Sequence, residues 1–217
     1  MPDREEHARA ARARYEDGAR RLPDDADERQ RQLTRMGNAA WAAGLSFLML
    51  GREREGREWL LRAAETYRAS WTGAPPGSWG RPIGAMKSRL IADDLEGASA
   101  DARWALDAGA ASSESPIGRY AGALAFLVLG EDEEAGALVP TLIDAEAIPP
   151  AVTSSLAALA TGDATAYDQA IRALVADFEA RDAYLEDTPV ADTVLALQAL
   201  AGRRGVVVPL ESRLLPA

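Results

Sequence analysis

The sequence contains no cysteine and a single histidine, His7. Without cysteine the chain has no disulfide, no thiolate zinc site, no iron–sulfur cluster and no cysteine nucleophile. One histidine leaves almost no room for a Ser-His-Asp triad or for a metal site built from several imidazoles. Phosphate-loop, calcium-loop and nucleophile-elbow motifs are also missing. We therefore expect neither a cofactor nor a metal site, and no catalytic residues.

Long apolar runs are missing as well. A membrane-spanning helix needs about 18 consecutive apolar residues, and no stretch of this sequence is that long. Residues 1–6 are mostly charged and lack the apolar centre of a signal peptide. The sequence therefore predicts a soluble, cytoplasmic protein with no membrane partner.

Negative charge is in excess, and it is unevenly distributed. The formal net charge is −10, yet residues 1–130 sum to zero and residues 193–217 to +2. Residues 131–192, called the acidic block here, hold fourteen acidic residues against Arg172 and Arg181, a net −12. Such a block is typical of a solvated helical face, and alternatively it attracts a basic partner. Nucleic acid is not expected as a partner, because the chain offers no net positive field.

Apolar residues recur every three to four positions, which predicts helices over 60–71, 117–128, 167–178 and 190–201. Helix starts are predicted at Asp163 and at the pairs Ser115-Pro116 and Thr188-Pro189. Helix ends are predicted at four glycines that suit a left-handed C-terminal residue, namely Gly51, Gly109, Gly130 and Gly162. The fold class is therefore all-α, with short turns between helices.

The helices repeat along the chain. Phe47-Leu48-Met49-Leu50-Gly51 matches Phe126-Leu127-Val128-Leu129-Gly130 almost residue for residue, and a weaker copy covers residues 159–163. This spacing suits helical hairpins of about 40 residues that stack on one another. We predict one domain over residues 1–217, with a charged segment at 1–21 and an extended tail at 206–217. The tail is expected to pack along the last helices or to cross to a second copy in a homodimer.

Small and apolar residues at fixed offsets give two of these hairpins a family resemblance. One set is Gly44, Phe47, Gly51, Gly56, Leu60 and Ala63; the other is Ala123, Phe126, Gly130, Ala135, Val139 and Leu142. Both resemble the tetratricopeptide-repeat pattern, in which small residues let the two helices of a hairpin approach closely. The resemblance implies a right-handed α-α superhelix of stacked hairpins.

A proline- and glycine-rich loop at residues 71–82 is the first candidate for a functional surface. It carries Trp71 and Trp79, with Arg81 at its end and Lys87 and Arg89 shortly after it. Tryptophan and arginine are enriched among interface hot spots, so these five residues are predicted to bind a protein partner. The alternative is that the tryptophans fold the loop back over the hydrophobic groove.

Two groups of carboxylates are the second candidate. Asp93, Asp94 and Glu96 lie at a predicted turn between helices, whereas the other group, Glu131, Asp132, Glu133 and Glu134, opens a helix. Acids in a first helical turn stabilise the helix by about 0.3–1 kcal/mol each, which accounts for both groups. We include the second group among the predicted partner-binding residues. The alternative is a helical hydrolase or lyase that uses Asp and Glu alone.

The C-terminal part carries a second resemblance. Residues 189–205, followed by an extended segment and Leu214-Leu215-Pro216, resemble the closing helix and tail of bacterial immunity proteins of family forty-nine. Trp79, followed by the helix over residues 87–93, is loosely similar too. Those proteins are helical antidotes to polymorphic toxins, so the resemblance implies a protein that binds and blocks a toxin without catalysis. The acidic block would suit a basic toxin domain such as a nuclease. A general tetratricopeptide-like adaptor with another partner is the alternative.

Overall fold

The computed structural model describes residues 4–143 and 145–216. This part contains helices and no strand, which confirms the predicted all-α class. Residues 1–3 of the charged segment, Asp144 of the acidic block and Ala217 of the tail lie outside the described residues.

The α-helices are α1 (Arg4–Arg20), α2 (Ala26–Met49), α3 (Glu53–Ala69), α4 (Gly80–Ile91), α5 (Leu95–Asp107), α6 (Pro116–Leu129), α7 (Asp132–Leu138), α8 (Pro150–Thr161), α9 (Ala164–Glu179) and α10 (Asp192–Arg203). Short 3₁₀ helices cover Val139–Leu142 and Leu185–Asp187.

The sequence repeat corresponds to a repeated helix end. Gly51, Gly130 and Gly162 follow α2, α6 and α8 with φ angles of 71°, 78° and 68°. After α2, the N–H of Arg52 donates to the carbonyl of Phe47 at 2.9 Å, and equivalent bonds of 2.9 and 3.0 Å close α6 and α8. This six-to-one bond around a left-handed residue is the Schellman motif. The predicted glycine stops are therefore confirmed.

Two of the predicted helix starts are also confirmed. Asp163 is the N-cap of α9, and its side chain accepts the N–H groups of Thr165 at 3.0 Å and Ala166 at 2.9 Å. Ser115 is the N-cap of α6 and Pro116 is its first residue. Both follow the preference for a polar cap before a helix and for proline in its first turn.

The start predicted at Thr188-Pro189 is wrong by three residues, because α10 begins at Asp192. The backbone just before the helix is bound to the tail instead: the N–H of Ala191 donates to the carbonyl of Leu214 at 2.9 Å. A long-range bond of this kind overrides the local signal of a threonine–proline pair.

The tail lies against its own chain. Val208 and Leu214 are buried, and Gln198 of α10 donates to the carbonyl of Val208 at 2.6 Å. Ser212 donates to the carboxylate of Glu179 in α9 at 2.6 Å. The expectation that the tail packs along the last helices is therefore confirmed, while dimerisation through it stays a prediction.

Consecutive helices from α1 to α9 pack against each other, and α4 also contacts α6, as α6 contacts α8. This order fits stacked hairpins; the right-handed superhelix stays a prediction. The last helix departs from a simple array, because α10 packs on α4, α8 and α9. Arg203, its last residue, and Arg204, which follows it, also donate to the carbonyls of Val128 and Leu127 in α6, at 3.1 and 2.9 Å. The row formed by α4, α6 and α8 is thus covered by the chain's own α10.

The closest approach in the first hairpin is between two glycines, Gly44 of α2 and Gly56 of α3. A Cβ atom on Gly44 would lie 2.7 Å from Cγ of Leu60 and 3.0 Å from the carbonyl oxygen of Gly56. A Cβ atom on Gly56 would lie 2.6 Å from Cδ2 of Leu48 and 3.0 Å from the carbonyl oxygen of Gly44. Small residues therefore allow α2 and α3 to approach, as the repeat pattern predicted.

Replacing Gly44 by alanine is expected to lower the free energy of unfolding by about 1–3 kcal/mol, because the backbone of α3 must move to admit the methyl group. Gly136 of α7 is the matched control, since its nearest neighbour would lie 3.8 Å from the new Cβ. Gly136→Ala is expected to raise the free energy of unfolding by about 0.5–1 kcal/mol through helix propensity. Urea denaturation measures both. A Gly44→Ala variant as stable as the wild type would contradict the close approach.

Candidate functional site

The loop tryptophans form a cluster with a third one. The ring centroids of Trp71 and Trp79 lie 5.7 Å apart, and Trp71 meets Trp104 of α5 edge-on at 5.4 Å. Trp79 is buried, and the guanidinium of Arg68 lies 5.0 Å from the Trp104 ring centre. The loop is therefore folded back onto the helices. Sequence reasoning missed Trp104 because residues 81–108 match the repeat pattern only loosely.

Arg89 belongs to a buried network of charges rather than to a surface. Its Nε donates to Asp101 at 2.7 Å and its Nη1 to Asp94 at 2.5 Å, while Arg68 reaches the other oxygen of Asp101 at 2.6 Å. Burial works against the charged guanidinium, but the hydrogen bonds that it donates to Asp101 and Asp94 outweigh this effect and raise the pKa of Arg89. The network ties α3, α4 and α5 together.

Arg81 and Lys87 also lie on α4, but neither belongs to the charge network of Arg89. Lys87 forms an ion pair with Asp192 and donates to Thr193 Oγ1 at 2.8 Å, so it ties α4 to the start of α10. Arg81 is 8% exposed, and its Nη2 donates to the side-chain oxygen of Gln30. The five residues of the loop candidate therefore do not share one exposed surface, and partner binding by them stays a prediction.

Arg81 and Lys87 line one cavity of about 440 Å³ between α2, α4 and the segment before α10. Its other polar lining residues include Thr34, Asn38, Ser78 and Asp192, and its apolar ones are Trp41, Tyr67, Ile83 and Leu185. We call this space the α2–α4 cavity. It is concave and mixes apolar walls with a few polar groups, which is typical of small-molecule sites.

Tyr67 forms the floor of the α2–α4 cavity. Its ring packs between two glycines, since a Cβ on Gly37 or Gly84 would lie 2.7 or 2.8 Å from a ring carbon. Its phenol donates to Asn38 Oδ1 at 2.9 Å, and burial, with Asp192 and Glu186 adding to it, raises the pKa of Tyr67. Tyr67 is therefore a fixed, protonated hydrogen-bond donor.

The acidic residues that precede and open α7 are exposed except for one. Asp132 forms an ion pair with Arg204, the residue after α10, whereas Glu131, Glu133 and Glu134 are exposed and have no ion pair with any described residue. Asp132, Glu133 and Glu134 lie in the first turn of α7, as predicted.

In the other acidic group, Asp94 caps α5 by accepting the N–H of Gly97 at 3.0 Å. This contact supports the interpretation that Asp94 stabilises the start of the helix.

A groove of about 590 Å³ lies further along the acidic block, between the Val139–Leu142 segment, α8 and α9. Leu142, Ile148 and Pro149 form apolar walls, Glu146 supplies an exposed carboxylate, and the carboxylate of Asp177 accepts from Arg181 at 2.9 Å. Ile143, another lining residue, is 61% exposed. We call it the acidic groove. Sequence reasoning missed it, because residues 139–150 carry no helical period.

No protein-family model matches this chain, and no curated protein or solved structure matches it significantly. The tetratricopeptide and immunity-protein patterns therefore stay resemblances. What the chain does has to be argued from its own surfaces.

The single histidine lies at a third cavity, of about 540 Å³, between α1, the end of α2 and residues 182–190. Its Nε2 is 2.9 Å from Thr188 Oγ1. Burial, together with the charge of Arg14, lowers the pKa of His7. A histidine in this position anchors α1 to the segment that leads into α10.

Within residues 4–143 and 145–216, no group of three or more acidic or histidine side chains is arranged to hold a metal ion. In the same ranges, none of the helices combines the length and the apolar character that crossing a bilayer requires.

Proposed function

We propose that this chain is a non-catalytic protein-binding module whose partner is a basic protein. In its sharpest form the proposal is an immunity-type protein that binds and neutralises a bacterial toxin in the cytoplasm. The acidic groove is the observation that carries the proposal, because it combines an exposed apolar anchor point with carboxylates.

The acidic groove has the anatomy of a protein interface. An apolar centre surrounded by polar groups is the usual arrangement of binding hot spots. Ile143 is exposed over buried Leu142 and Ile148, and Glu146 adds an exposed carboxylate. Thr153 lines the groove, and its buried hydroxyl has no hydrogen-bond partner. An apolar side chain flanked by lysine or arginine would complement this surface.

The surrounding charge favours a basic partner. Exposed acids of the first helices are often neutralised within the chain, as in the pairs Arg12–Glu16 and Arg31–Asp27. In the acidic block Asp168 and Asp177 are likewise paired, with Arg172 and Arg181, whereas Glu133 and Glu134 of α7 form no ion pair with a described residue. Unneutralised charge of one sign raises the association rate of an oppositely charged partner and makes that rate fall with salt.

The test begins with the genes beside the one for this chain: the proposal expects one of them to encode a toxin domain, which is then expressed with and without the chain, and the absence of such a gene would count against the immunity role. We expect the chain to restore growth and to bind the purified toxin domain. Combining Glu133→Lys with Glu134→Lys is expected to slow association about tenfold at low salt. Ile143→Asp is expected to weaken binding by about tenfold or more, which is the loss of a hot-spot residue.

The matched control combines Glu58→Lys with Glu65→Lys on α3, both exposed and in the neutral part of the chain. It makes the same change in net charge and is expected to leave the affinity nearly unchanged. If the two charge reversals had equal effects on binding, the acidic block would not be part of the interface. A neighbouring toxin that the chain neither binds nor neutralises would refute the immunity role.

A further inference from the structure

Charges of both signs line the cavity beside the single histidine without pairing with each other. We call this space of about 540 Å³ the His7 cavity. Arg4 of α1 lines it and donates to two backbone carbonyls, at 3.0 and 3.4 Å, but to no described carboxylate. Asp182 and Asp187 line the same cavity and form no ion pair with a described residue. All three residues are exposed, so a ligand in the cavity can reach their charged groups.

The turn that carries Asp187 holds its carboxylate near the His7 ring. The N–H of Asp187 donates to the carbonyl of Tyr184 at 3.1 Å, and its φ angle of 53° is a left-handed conformation that aspartate and asparagine tolerate better than most residues. The charges of Asp187 and Glu186 both act to raise the pKa of His7, against the larger effect of burial. Because Glu186 is already paired with Arg14 at 3.2 Å, the carboxylate of Asp187 is the one that remains available.

His7 itself adds no charge to the cavity near neutral pH. Burial, together with the charge of Arg14, lowers the pKa of His7, so the imidazole is neutral at pH 7. Arg4, Asp182 and Asp187 are therefore the charged groups that line the cavity.

The remaining walls are mostly apolar. Met49, Tyr184 and Pro189 are partly buried, and Val190 is buried. The phenol of Tyr184 donates to the carbonyl of Phe178 at 2.8 Å, which fixes the position of the ring. A cavity of this size with apolar walls and a few polar groups is typical of a small-molecule site.

The two signs of charge together select the class of ligand. A simple carboxylate would be repelled by Asp182 and Asp187, and a simple amine would be repelled by Arg4. A zwitterion suits both sides, because its carboxylate accepts from a guanidinium while its ammonium donates to a carboxylate, and both bonds are charge-assisted. An apolar side chain on the same molecule would cover the apolar walls.

We propose that the His7 cavity binds a zwitterion with an apolar side chain, either a free α-amino acid or a dipeptide. Its carboxylate accepts from Arg4, its ammonium donates to Asp187, and its side chain lies against Met49 and Tyr184. The His7 cavity shares no lining residue with the acidic groove, so this proposal does not depend on toxin binding.

Calorimetry on the full chain at neutral pH tests the proposal with L-leucine and leucyl-leucine as the two zwitterions. Three analogues of leucine each lack one part: isocaproate lacks the ammonium, isoamylamine lacks the carboxylate, and glycine lacks the apolar side chain. We expect saturable binding of at least one zwitterion, and binding about tenfold weaker or more for each analogue, since each loses a charge-assisted bond or the apolar contact. The tighter of the two zwitterions shows whether the natural ligand is a free amino acid or a dipeptide.

Asp187→Asn removes the charge but keeps the shape and a left-handed backbone that asparagine accepts. It is expected to weaken binding of the tighter zwitterion by about tenfold or more. Asp93→Asn is the matched control, because Asp93 is also exposed, has a φ angle of 62° and does not line the cavity. Arg4→Gln should weaken binding to a similar extent, whereas Arg103→Gln, at an exposed arginine of α5, should bind as the wild type does.

Three results would overturn the assignment. The first is binding of isocaproate or isoamylamine as tight as that of leucine, which would mean that one charge is enough. The second is unchanged affinity in Asp187→Asn or in Arg4→Gln, each checked for native folding by circular dichroism. The third is the absence of saturable binding of either zwitterion at tens of millimolar.

Discussion

Asp101→Ala is expected to lower the free energy of unfolding by about 3 kcal/mol or more, because it removes the carboxylate at the centre of a buried charge network. Asp101 is 0% exposed and binds both Arg68 and Arg89. Its loss leaves Arg89 with Asp94 alone, in a place where a charge is poorly solvated. Urea denaturation followed by circular dichroism gives the difference directly.

Asp107→Ala is the control, because Asp107 lies on the same helix but is exposed. Surface substitutions of this kind usually change stability by less than about 0.5 kcal/mol. Asp101→Asn keeps the shape and one acceptor oxygen, so it should fall between the two. If Asp101→Ala were no less stable than Asp107→Ala, the network would not hold α3, α4 and α5 together.

Leu197→Ala should destabilise the protein by about 2–5 kcal/mol, the range for truncating a fully buried leucine. Leu197 is buried in α10, the helix that covers the row of α4, α6 and α8. Val190 and Leu195, which precede Leu197 in the chain, pack with the core of α1, α2 and α3. We therefore expect the substitution to shift one unfolding transition of the whole protein to lower denaturant concentration. Chemical denaturation with two optical probes, tryptophan fluorescence and far-ultraviolet circular dichroism, measures this.

The same substitution at an exposed leucine provides the comparison. Leu185→Ala removes the same atoms from the surface and is expected to change stability by about 0.5 kcal/mol or less. Two separate transitions in Leu197→Ala, one for each optical probe, would mean that α10 is only loosely attached to the row beneath it.

Local signals in the sequence were sufficient for the all-α class and for most of the predicted helix ends, though not for the start of α10. Gly51 and Gly130 specify left-handed stops, and Asp163 caps α9, because each of these choices depends on neighbours a few residues away. The Gly44 and Gly56 contact was predictable for a related reason, since the spacing of small residues repeats with the hairpin.

Contacts between distant elements were not predictable in the same way. Asp101 and Arg81 look like ordinary charged positions on helices, and only the fold shows that Asp101 pairs with two arginines, whereas Arg81 bonds the neutral side chain of Gln30 and forms no ion pair with a described residue. The spacing of apolar residues along α10 does not indicate which helices it covers. The helix start at Asp192 depends on a backbone bond to Leu214, which no window around residue 190 contains.

The attachment of α10 to α4 has a consequence for how the chain is made. A ribosome releases α4 well before α10, so the apolar surfaces that α10 covers face water during synthesis. Exposed apolar surface on a nascent chain is a target for chaperones and a source of aggregation. In a simple linear array each helical hairpin can dock as soon as its neighbour appears. Here the row of α4, α6 and α8 stays uncovered until α10 has been made, so we expect the nascent chain to expose this apolar surface for most of its synthesis.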